Sequence, residues 1–108
     1  MKIELVFAAV LICGCTGSAL SAEKTSSPVP GEAQFNRHCM VCHPVGGNIV
    51  NPKKTLLKKD RDANNIKTDA DIVKLMRQPG PGMTAFDVKT LSDKDAHEIA
   101  KYILKTFK

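Results

Sequence analysis

Large aromatic side chains are scarce in this sequence of 108 residues, which has no tryptophan, one tyrosine and four phenylalanines. A small domain with so few rings has little apolar volume for its centre. In domains below roughly 80 residues, a single apolar core contributes only about 3 to 5 kcal/mol of net stability. A disulfide, a metal or a cofactor is therefore expected to support the fold.

The sequence also lacks an N-terminal hydrophobic run long enough to cross a membrane. The apolar run from Leu5 to Ile12 has eight residues, whereas a membrane-spanning helix needs about 20. Since Lys2 precedes this run, residues 1–15 are typical of an export signal rather than of a membrane span.

The export signal offers two cleavage sites, which place the mature protein differently. The segment Ile12-Cys13-Gly14-Cys15 resembles a lipobox. Cys15 would then carry a lipid and anchor the protein to a membrane, with the outer membrane as the default. The segment Ala19-Leu20-Ser21 is instead a site for ordinary signal peptidase, which would release a soluble periplasmic protein. Lipidation is the favoured interpretation.

Residues 16–30 are rich in serine, threonine, proline and alanine and show no amphipathic period. This composition predicts a flexible linker. The remaining residues, 31–108, are long enough for one folded domain.

No strand-like alternation of apolar and polar residues occurs in the domain, so an all-α fold is predicted. About four short helices are expected. The first runs from Gly31 to Cys39, the second from Pro52 to Ala63, the third from a Thr68 cap to Arg77, and the fourth from a Ser92 cap to about Phe107.

Acidic residues are outnumbered, with 16 Lys and Arg against 11 Asp and Glu and a formal net charge of +5. A basic bias of this size favours partners with acidic surfaces. It does not indicate nucleic acid, because the lysines are scattered and no aromatic residues interleave with them. Around the second helix a solvated lysine face is favoured over a docking patch, and its members are Lys53, Lys54, Lys58 and Lys59.

Of the four cysteines, none is left for a structural disulfide. Cys13 and Cys15 belong to the leader, and the other two form the motif Cys39-Met40-Val41-Cys42-His43. This CxxCH spacing is typical of covalent haem attachment, in which two thiols bond to the haem and the adjacent histidine ligates its iron. Two alternatives have less support: a zinc half-site would need a fourth ligand, and a thioredoxin-type redox pair would need a βαβ pattern.

The motif thus predicts one haem c attached through Cys39 and Cys42, with His43 as an iron ligand. Met83 is the candidate for the opposite iron ligand, because it lies 40 residues further on in a stiff Pro/Gly segment outside any expected helix. Two haem propionates would lower the net charge to roughly +3, which keeps the basic bias.

The other methionines and histidines have different expected places. Met76 is assigned to the apolar face of the third helix, and Met40 is enclosed by the two cysteines. His38 and His97 are expected to be exposed.

A histidine–methionine pair favours electron transfer, because the thioether raises the potential and both axial positions are filled. An electron carrier in a periplasmic or outer-membrane respiratory chain is therefore predicted, monomeric and without enzymatic activity. Its partners are expected to be redox proteins with acidic docking surfaces. Two alternatives follow if Met83 dissociates: a haem enzyme with peroxidase-like activity, or a redox sensor.

With these residues in place, the domain resembles a class I cytochrome c. Gly31, Phe35 and Cys39 reproduce the first-helix spacing of that family. The resemblance implies a class I fold around the haem, with Gly31 allowing the last helix to cross closely and Tyr102 packing at the crossing.

A narrower resemblance is to the c-six type, the small cytochromes that substitute for plastocyanin. It is carried by Gly46-Gly47-Asn48, Lys54-Thr55-Leu56 and Met83-Thr84-Ala85-Phe86. It implies that Asn48 and Lys54 lie near the haem propionates. With its leader, the sequence is also similar to monohaem outer-membrane lipoprotein cytochromes of metal-respiring bacteria, and so photosynthesis is not assigned.

Overall fold

The computed structural model describes residues 29–108. The export signal, both cleavage sites, Cys15 and most of the linker lie outside the described residues, so the division into leader, linker and domain stays a prediction. No helix within residues 29–108 has the length and apolar character needed to cross a membrane.

The described residues form four α-helices and a single turn of 3-10 helix, without any strand, which confirms the predicted all-α fold. The 3-10 turn, Pro44–Gly46, follows the first helix. The four helices are α1, Glu32–His38; α2, Lys58–Ala63; α3, Asp69–Arg77; and α4, Asp93–Thr106.

Helix α3 begins where its local sequence predicts. The Thr68 hydroxyl accepts a hydrogen bond from the Asp71 N–H at 3.1 Å, and the Asp71 carboxylate accepts one from the Thr68 N–H at 2.9 Å. This reciprocal pair is a capping box, and it satisfies two N–H groups that the first turn leaves free. Hydrogen bonds from the Lys67 and Thr68 N–H groups hold the pKa of Asp71 below its usual value.

Helix α4 has half of the same cap. The Ser92 hydroxyl accepts from the Asp95 N–H at 3.2 Å, but the Asp95 carboxylate accepts from the side chain of Gln34 in α1 at 3.5 Å. Asp95 therefore connects two helices instead of closing a capping box.

The expected second helix is wrong at its start, because α2 begins at Lys58 and not at Pro52. Side chains and loop carbonyls take the backbone N–H groups that a helix would use. The Asn51 side chain accepts from the Lys53 N–H, and the Gly46 carbonyl accepts from the Leu56 N–H at 2.7 Å. Leu57 is extended, with a ψ of 144°, and becomes the N-cap.

Helix α4 passes through the centre of the domain and packs on both α1 and α3. Ala96, Ile99 and Ala100 are fully buried. The small alanines permit close helix contacts, and burial of the larger side chains provides the main driving force for folding. The buried set also contains Phe35, Ile72, Met76, Leu91, Ile103 and Phe107, which confirms Met76 as a core residue.

The crossing of α1 and α4 depends on Gly31. This residue has a φ of +91°, and a Cβ placed on it would lie 2.1 Å from the carbonyl oxygen of Glu98. Phe35, one turn along α1, packs its ring 5.3 Å from that of Tyr102. The close crossing and its aromatic contact are therefore present as the resemblance implied.

Candidate haem site

The CxxCH motif forms a tight turn directly after α1. The Cys39 carbonyl accepts hydrogen bonds from the N–H groups of Cys42 at 3.2 Å and His43 at 2.9 Å. Because one carbonyl holds both residues, the two cysteines and the histidine are fixed relative to one another.

Both thiols of the motif are free of a disulfide. Cys39 is buried and Cys42 is half-buried. Burial, and then the neighbouring Cys42 thiol, raise the pKa of Cys39 to about 11. Before haem is attached, the side chain is therefore a protonated thiol at neutral pH, which limits its oxidation, since the thiolate is the reactive form.

The imidazole of His43 is oriented by the turn that follows it. Its Nδ1 lies 2.7 Å from the carbonyl oxygen of Gly47. A carbonyl oxygen can only accept, so Nδ1 carries the proton, and the neutral ring keeps its lone pair on Nε2. A metal-ligating histidine usually has such a partner on its second nitrogen, because the bond fixes the ring and raises its basicity.

Asn48 organises the loop behind His43. Its side-chain oxygen accepts from the N–H groups of Val50 and Asn51, both at 2.9 Å, and its amide donates to the Lys54 carbonyl at 2.8 Å. The loop thus closes on Asn48, which brings together Asn48 and Lys54, the two candidates for a place near the propionates.

The segment with Met83 is held beside this loop. A Cβ placed on Gly82 would lie only 2.8 Å from Cγ1 of Val50, so the Val50 side chain packs closely on the Gly82 backbone. Met83 itself is 38% exposed. The structure therefore brings the Met83 segment to the loop that follows His43, although the two lie 40 residues apart.

Around the motif, apolar side chains are exposed to an unusual degree. Most large apolar residues of a small domain are buried, whereas these are between 38% and 89% exposed. The set consists of Met40, Val41, Val45, Ile49, Val50 and Met83. They lie in the CxxCH turn, the loop after it and the Met83 segment, and they offer the apolar contact that a porphyrin ring requires.

These residues fit a haem c. The free Cys39 and Cys42 thiols can form the two thioether bonds, the oriented His43 imidazole can ligate iron, and apolar side chains surround them. In residues 29–108, no group of three or more His, Cys, Asp or Glu side chains could hold a metal ion. The zinc alternative thus has no ligand set in this part of the chain.

The other two histidines are less exposed than expected, since both are half-buried. The His38 ring packs edge-on against Phe86 at 5.9 Å, which joins the end of α1 to the Met83 segment. Nδ1 of His97 lies 3.1 Å from the Asp69 carboxylate and connects α4 to α3. The hydrogen bond from His97 holds the pKa of Asp69 below its usual value.

Two arginines donate to backbone carbonyls that lie far from them in the sequence, and no sequence motif predicts these contacts. Arg61 is 5% exposed and donates to the carbonyls of Leu56 at 2.7 Å and Phe107 at 2.9 Å. Arg77 donates to the carbonyls of Phe86 and Leu91, both at 2.9 Å. The only signal in the sequence is an arginine inside or at the end of an expected helix, which does not reveal such contacts.

The four lysines of the expected lysine face are all exposed. Lys58 forms an ion pair with Asp62 one turn later in α2, so part of its charge is compensated locally. The preference for a solvated face over a docking patch remains an expectation.

A small helical fold with a CxxCH turn, an oriented histidine and surrounding apolar side chains defines the class of protein as a c-type cytochrome. Comparisons with known proteins agree. Residues 27–103 match the family model described as "Cytochrome C oxidase, cbb3-type, subunit III". Cytochrome c6 of Cyanidium caldarium is 36% identical over 74 residues, which make up 68% of this chain and 66% of that protein.

Two solved structures are similar in both sequence and fold. OmcF, described as outer membrane cytochrome F from Geobacter sulfurreducens, is 44% identical with a TM-score of 0.70, and the match covers 72% of this chain and 99% of that one. Cytochrome c6C from Synechococcus sp. PCC 7002 is 31% identical with a TM-score of 0.68, covering 72% and 94% of the two chains.

The chain belongs to the cytochrome c family, and its resemblance to the c-six type is confirmed. It is an electron carrier that holds covalently bound haem c with iron, and the expectation that it is not an enzyme is confirmed by its cytochrome c6 and OmcF relatives.

Proposed function

We propose that the protein is a monohaem electron carrier with His43 and Met83 as the two axial iron ligands. The supporting observation is the contact between Gly82 and Val50, which places the Met83 segment against the loop that follows His43. The other described methionines are less suited, because Met76 is 3% exposed in the core and Met40 lies between the two cysteines.

In this proposal each part of the chain has one task. Haem iron supplies the one-electron couple, and a thioether opposite an imidazole raises its potential. Gly47 holds His43 in the tautomer that leaves Nε2 free to ligate. The Met83 segment closes the opposite axial position, so that neither peroxide nor oxygen has access to it.

The test is the near-infrared sulfur-to-iron charge-transfer band of the oxidised holoprotein. We expect the wild type to show this band, and Met83→Ala to lose it and to bind carbon monoxide readily when reduced. Met40→Leu is the matched control, since Met40 is also partly exposed, at 44% against 38% for Met83, and it should keep the band. A wild-type protein that lacks the band when oxidised and binds carbon monoxide readily when reduced would instead favour the peroxidase or sensor alternative.

We also propose that Asn48 and Lys54 lie near the haem propionates. Because both ends of the Asn48 amide are engaged inside the loop, Asn48 acts by fixing the loop backbone. The Lys54 ammonium lies on an exposed side chain of the same loop and supplies the positive charge that a propionate attracts.

The cellular place proposed for this carrier is the periplasmic face of the outer membrane, in a respiratory chain. Support comes from the lipobox-like Cys15 in the sequence and from the similarity to OmcF, an outer-membrane cytochrome. The proposed partners are redox proteins with acidic surfaces, because the net charge of this protein is +5. The protein is proposed to act as a monomer.

A fractionation experiment tests the lipid anchor. We expect Cys15→Ser to move the protein from the membrane fraction to the soluble periplasmic fraction, because Cys15 ends the lipobox and is the residue that would carry the lipid. Cys13→Ser is the matched control, two residues earlier, and should stay with the membrane. If Cys15→Ser leaves the distribution unchanged, the lipoprotein proposal is wrong and cleavage after Ala19-Leu20-Ser21 is favoured.

A further inference from the structure

Arg77, the last residue of α3, forms three hydrogen bonds that join separate parts of the chain. Nη1 donates to the carbonyls of Phe86 and Leu91, both at 2.9 Å, and Nη2 donates to the Asp93 carboxylate at 2.7 Å. The Arg77 side chain is only 20% exposed. Partial burial strengthens such bonds, since less water competes for the donors.

The segment that carries Met83 has little else to hold it. Within the described residues, the backbone of 79–85 forms one hydrogen bond, from the Met83 N–H to the Gly80 carbonyl, and it is long at 3.5 Å. Within residues 29–108, no side chain forms a hydrogen bond to residues 79–85. Residues 80–85 are all exposed.

Phe86 is the point where the segment becomes fixed. Its N–H donates to the Met76 carbonyl at 2.8 Å, and its own carbonyl accepts from Arg77. The chain from Met83 to Phe86 advances by three residues and spans at most about 10 Å. An anchor at Phe86 therefore limits how far Met83 can move. Packing of Gly82 on Val50 limits the other side.

We propose that Arg77 is a positioning residue for Met83, and that its hydrogen bonds to Phe86 and Leu91 keep the methionine on the iron. This inference rests on the proposed axial role of Met83. Without the Arg77 bonds, the segment opens more often, and an external ligand gains access to the haem. With the Arg77 hydrogen bonds in place, the iron stays closed to external ligands and the protein carries electrons. Without them, the haem binds small ligands.

The geometry requires an arginine at this position. One guanidinium reaches two carbonyls and a carboxylate at once, because its five N–H donors lie in a rigid plane. A lysine ammonium on a flexible stem can hold one of these partners but not the whole set. Asp93 lies in the first turn of α4, is 76% exposed and forms an ion pair with the Arg77 guanidinium. The hydrogen bonds to the Phe86 and Leu91 carbonyls are the ones that position the Met83 segment.

Arg61 offers a matched comparison within the same chain. Its guanidinium also donates to two backbone carbonyls, those of Leu56 and Phe107. Its partner Leu56 is connected to the chain just after His43, because the Leu56 N–H donates to the Gly46 carbonyl. Loss of Arg61 therefore removes a comparable number of hydrogen bonds without touching the Met83 segment.

The experiment compares the holoproteins of wild type, Arg77→Met, Arg77→Lys and Arg61→Met below the onset of unfolding. Methionine keeps the apolar stem and removes the donors. Three quantities are measured: the charge-transfer band of the oxidised form, the alkaline pH at which the band is lost, and the rate of carbon monoxide association with the reduced form. Guanidinium unfolding of each variant gives its global stability.

We expect Arg77→Met to bind carbon monoxide about ten-fold faster or more and to lose the band at a lower pH than the wild type, since hydrogen bonds from a charged donor are the strong class. Arg77→Lys should fall between the two. Arg61→Met should keep the wild-type rate and pH even where its global stability falls as much.

Two results would overturn the inference. If Arg77→Met keeps the rate and the pH of the wild type, or if Arg61→Met changes them equally, Arg77 has no specific effect on Met83 and only stabilises the fold. A wild type without the band would overturn the axial role of Met83, and this inference with it. The wild-type spectrum therefore tests the proposed function, and the comparison of variants tests Arg77.

Discussion

Replacement of Gly31 by alanine is expected to destabilise the domain by about 3 kcal/mol or more. The new Cβ would lie 2.1 Å from the Glu98 carbonyl oxygen and 2.9 Å from the Ile99 nitrogen. These are backbone atoms inside α4, so they cannot rotate away as a side chain could. The left-handed conformation adds a strain of roughly 1–2 kcal/mol for a residue with a Cβ, and overpacking adds about 1–3 kcal/mol.

The measurement is guanidinium unfolding of the holoprotein, in which a lower midpoint with an unchanged slope reports a loss of stability. Gly80→Ala is the matched control, because no atom lies within 4 Å of a Cβ at that position. Its effect should stay within about 0.5 kcal/mol. Equal midpoints for the two variants would show that α1 and α4 do not cross as closely as described.

The sequence predicts those parts of the fold that depend on neighbouring residues. Helix α3 begins at its Thr68 cap and ends at Arg77, as expected, because a capping box needs only residues three apart. The CxxCH turn is equally local. Its proposed ligand set follows from the sequence, because thiol spacing and the adjacent imidazole both match one cofactor.

The start of α2 could not be predicted in the same way. The residues from Pro52 onwards include good helix formers, but propensity is a weak guide when tertiary contacts oppose it. Here Asn48 gathers backbone groups from both sides of the loop, and Gly46 takes the Leu56 N–H. Asparagine favours such local bonds over helix, but its partners become evident only in the folded chain.

Contacts between residues that are distant in the sequence account for the other differences between the expected and the observed structure. Arg77 meets Asp93 across 16 residues, and His97 meets Asp69 across 28. No periodic pattern marks either pair. Arginine and histidine at helix surfaces usually face water, so the sequence predicts exposure for His97, and the packing of α3 on α4 accounts for its contact with Asp69.

The loops on the two sides of the site are supported by separate side chains. Asn48 holds the loop after His43, Arg61 joins Leu56 beyond that loop to Phe107, and Arg77 holds the Met83 segment. Both sets are anchored on the same buried helix, because Arg61 reaches the Phe107 carbonyl at the end of α4 and Arg77 reaches Asp93 at its start. The rigidity that an electron carrier needs therefore depends on the core around α4.

Phe35→Ala is expected to weaken this core by about 3–5 kcal/mol, which is comparable with the total stability of a small domain. The Phe35 ring is 1% exposed and packs 5.5 Å from the ring of Phe107. Its loss leaves a cavity between α1 and α4. The Phe35 carbonyl also accepts from the N–H groups of Cys39 at 2.8 Å and Met40 at 3.1 Å, so the start of the haem turn should loosen as well.

Guanidinium unfolding of the holoprotein followed by Soret absorbance measures both effects. Phe35→Leu is the control, since it keeps most of the apolar volume and should cost less than about 1.5 kcal/mol. We expect Phe35→Ala to unfold at a much lower denaturant concentration than Phe35→Leu and to shift the Soret band before unfolding begins. If the two variants unfold together, the ring of Phe35 does not stabilise the contact between α1 and α4, and the haem turn is held by its own hydrogen bonds alone.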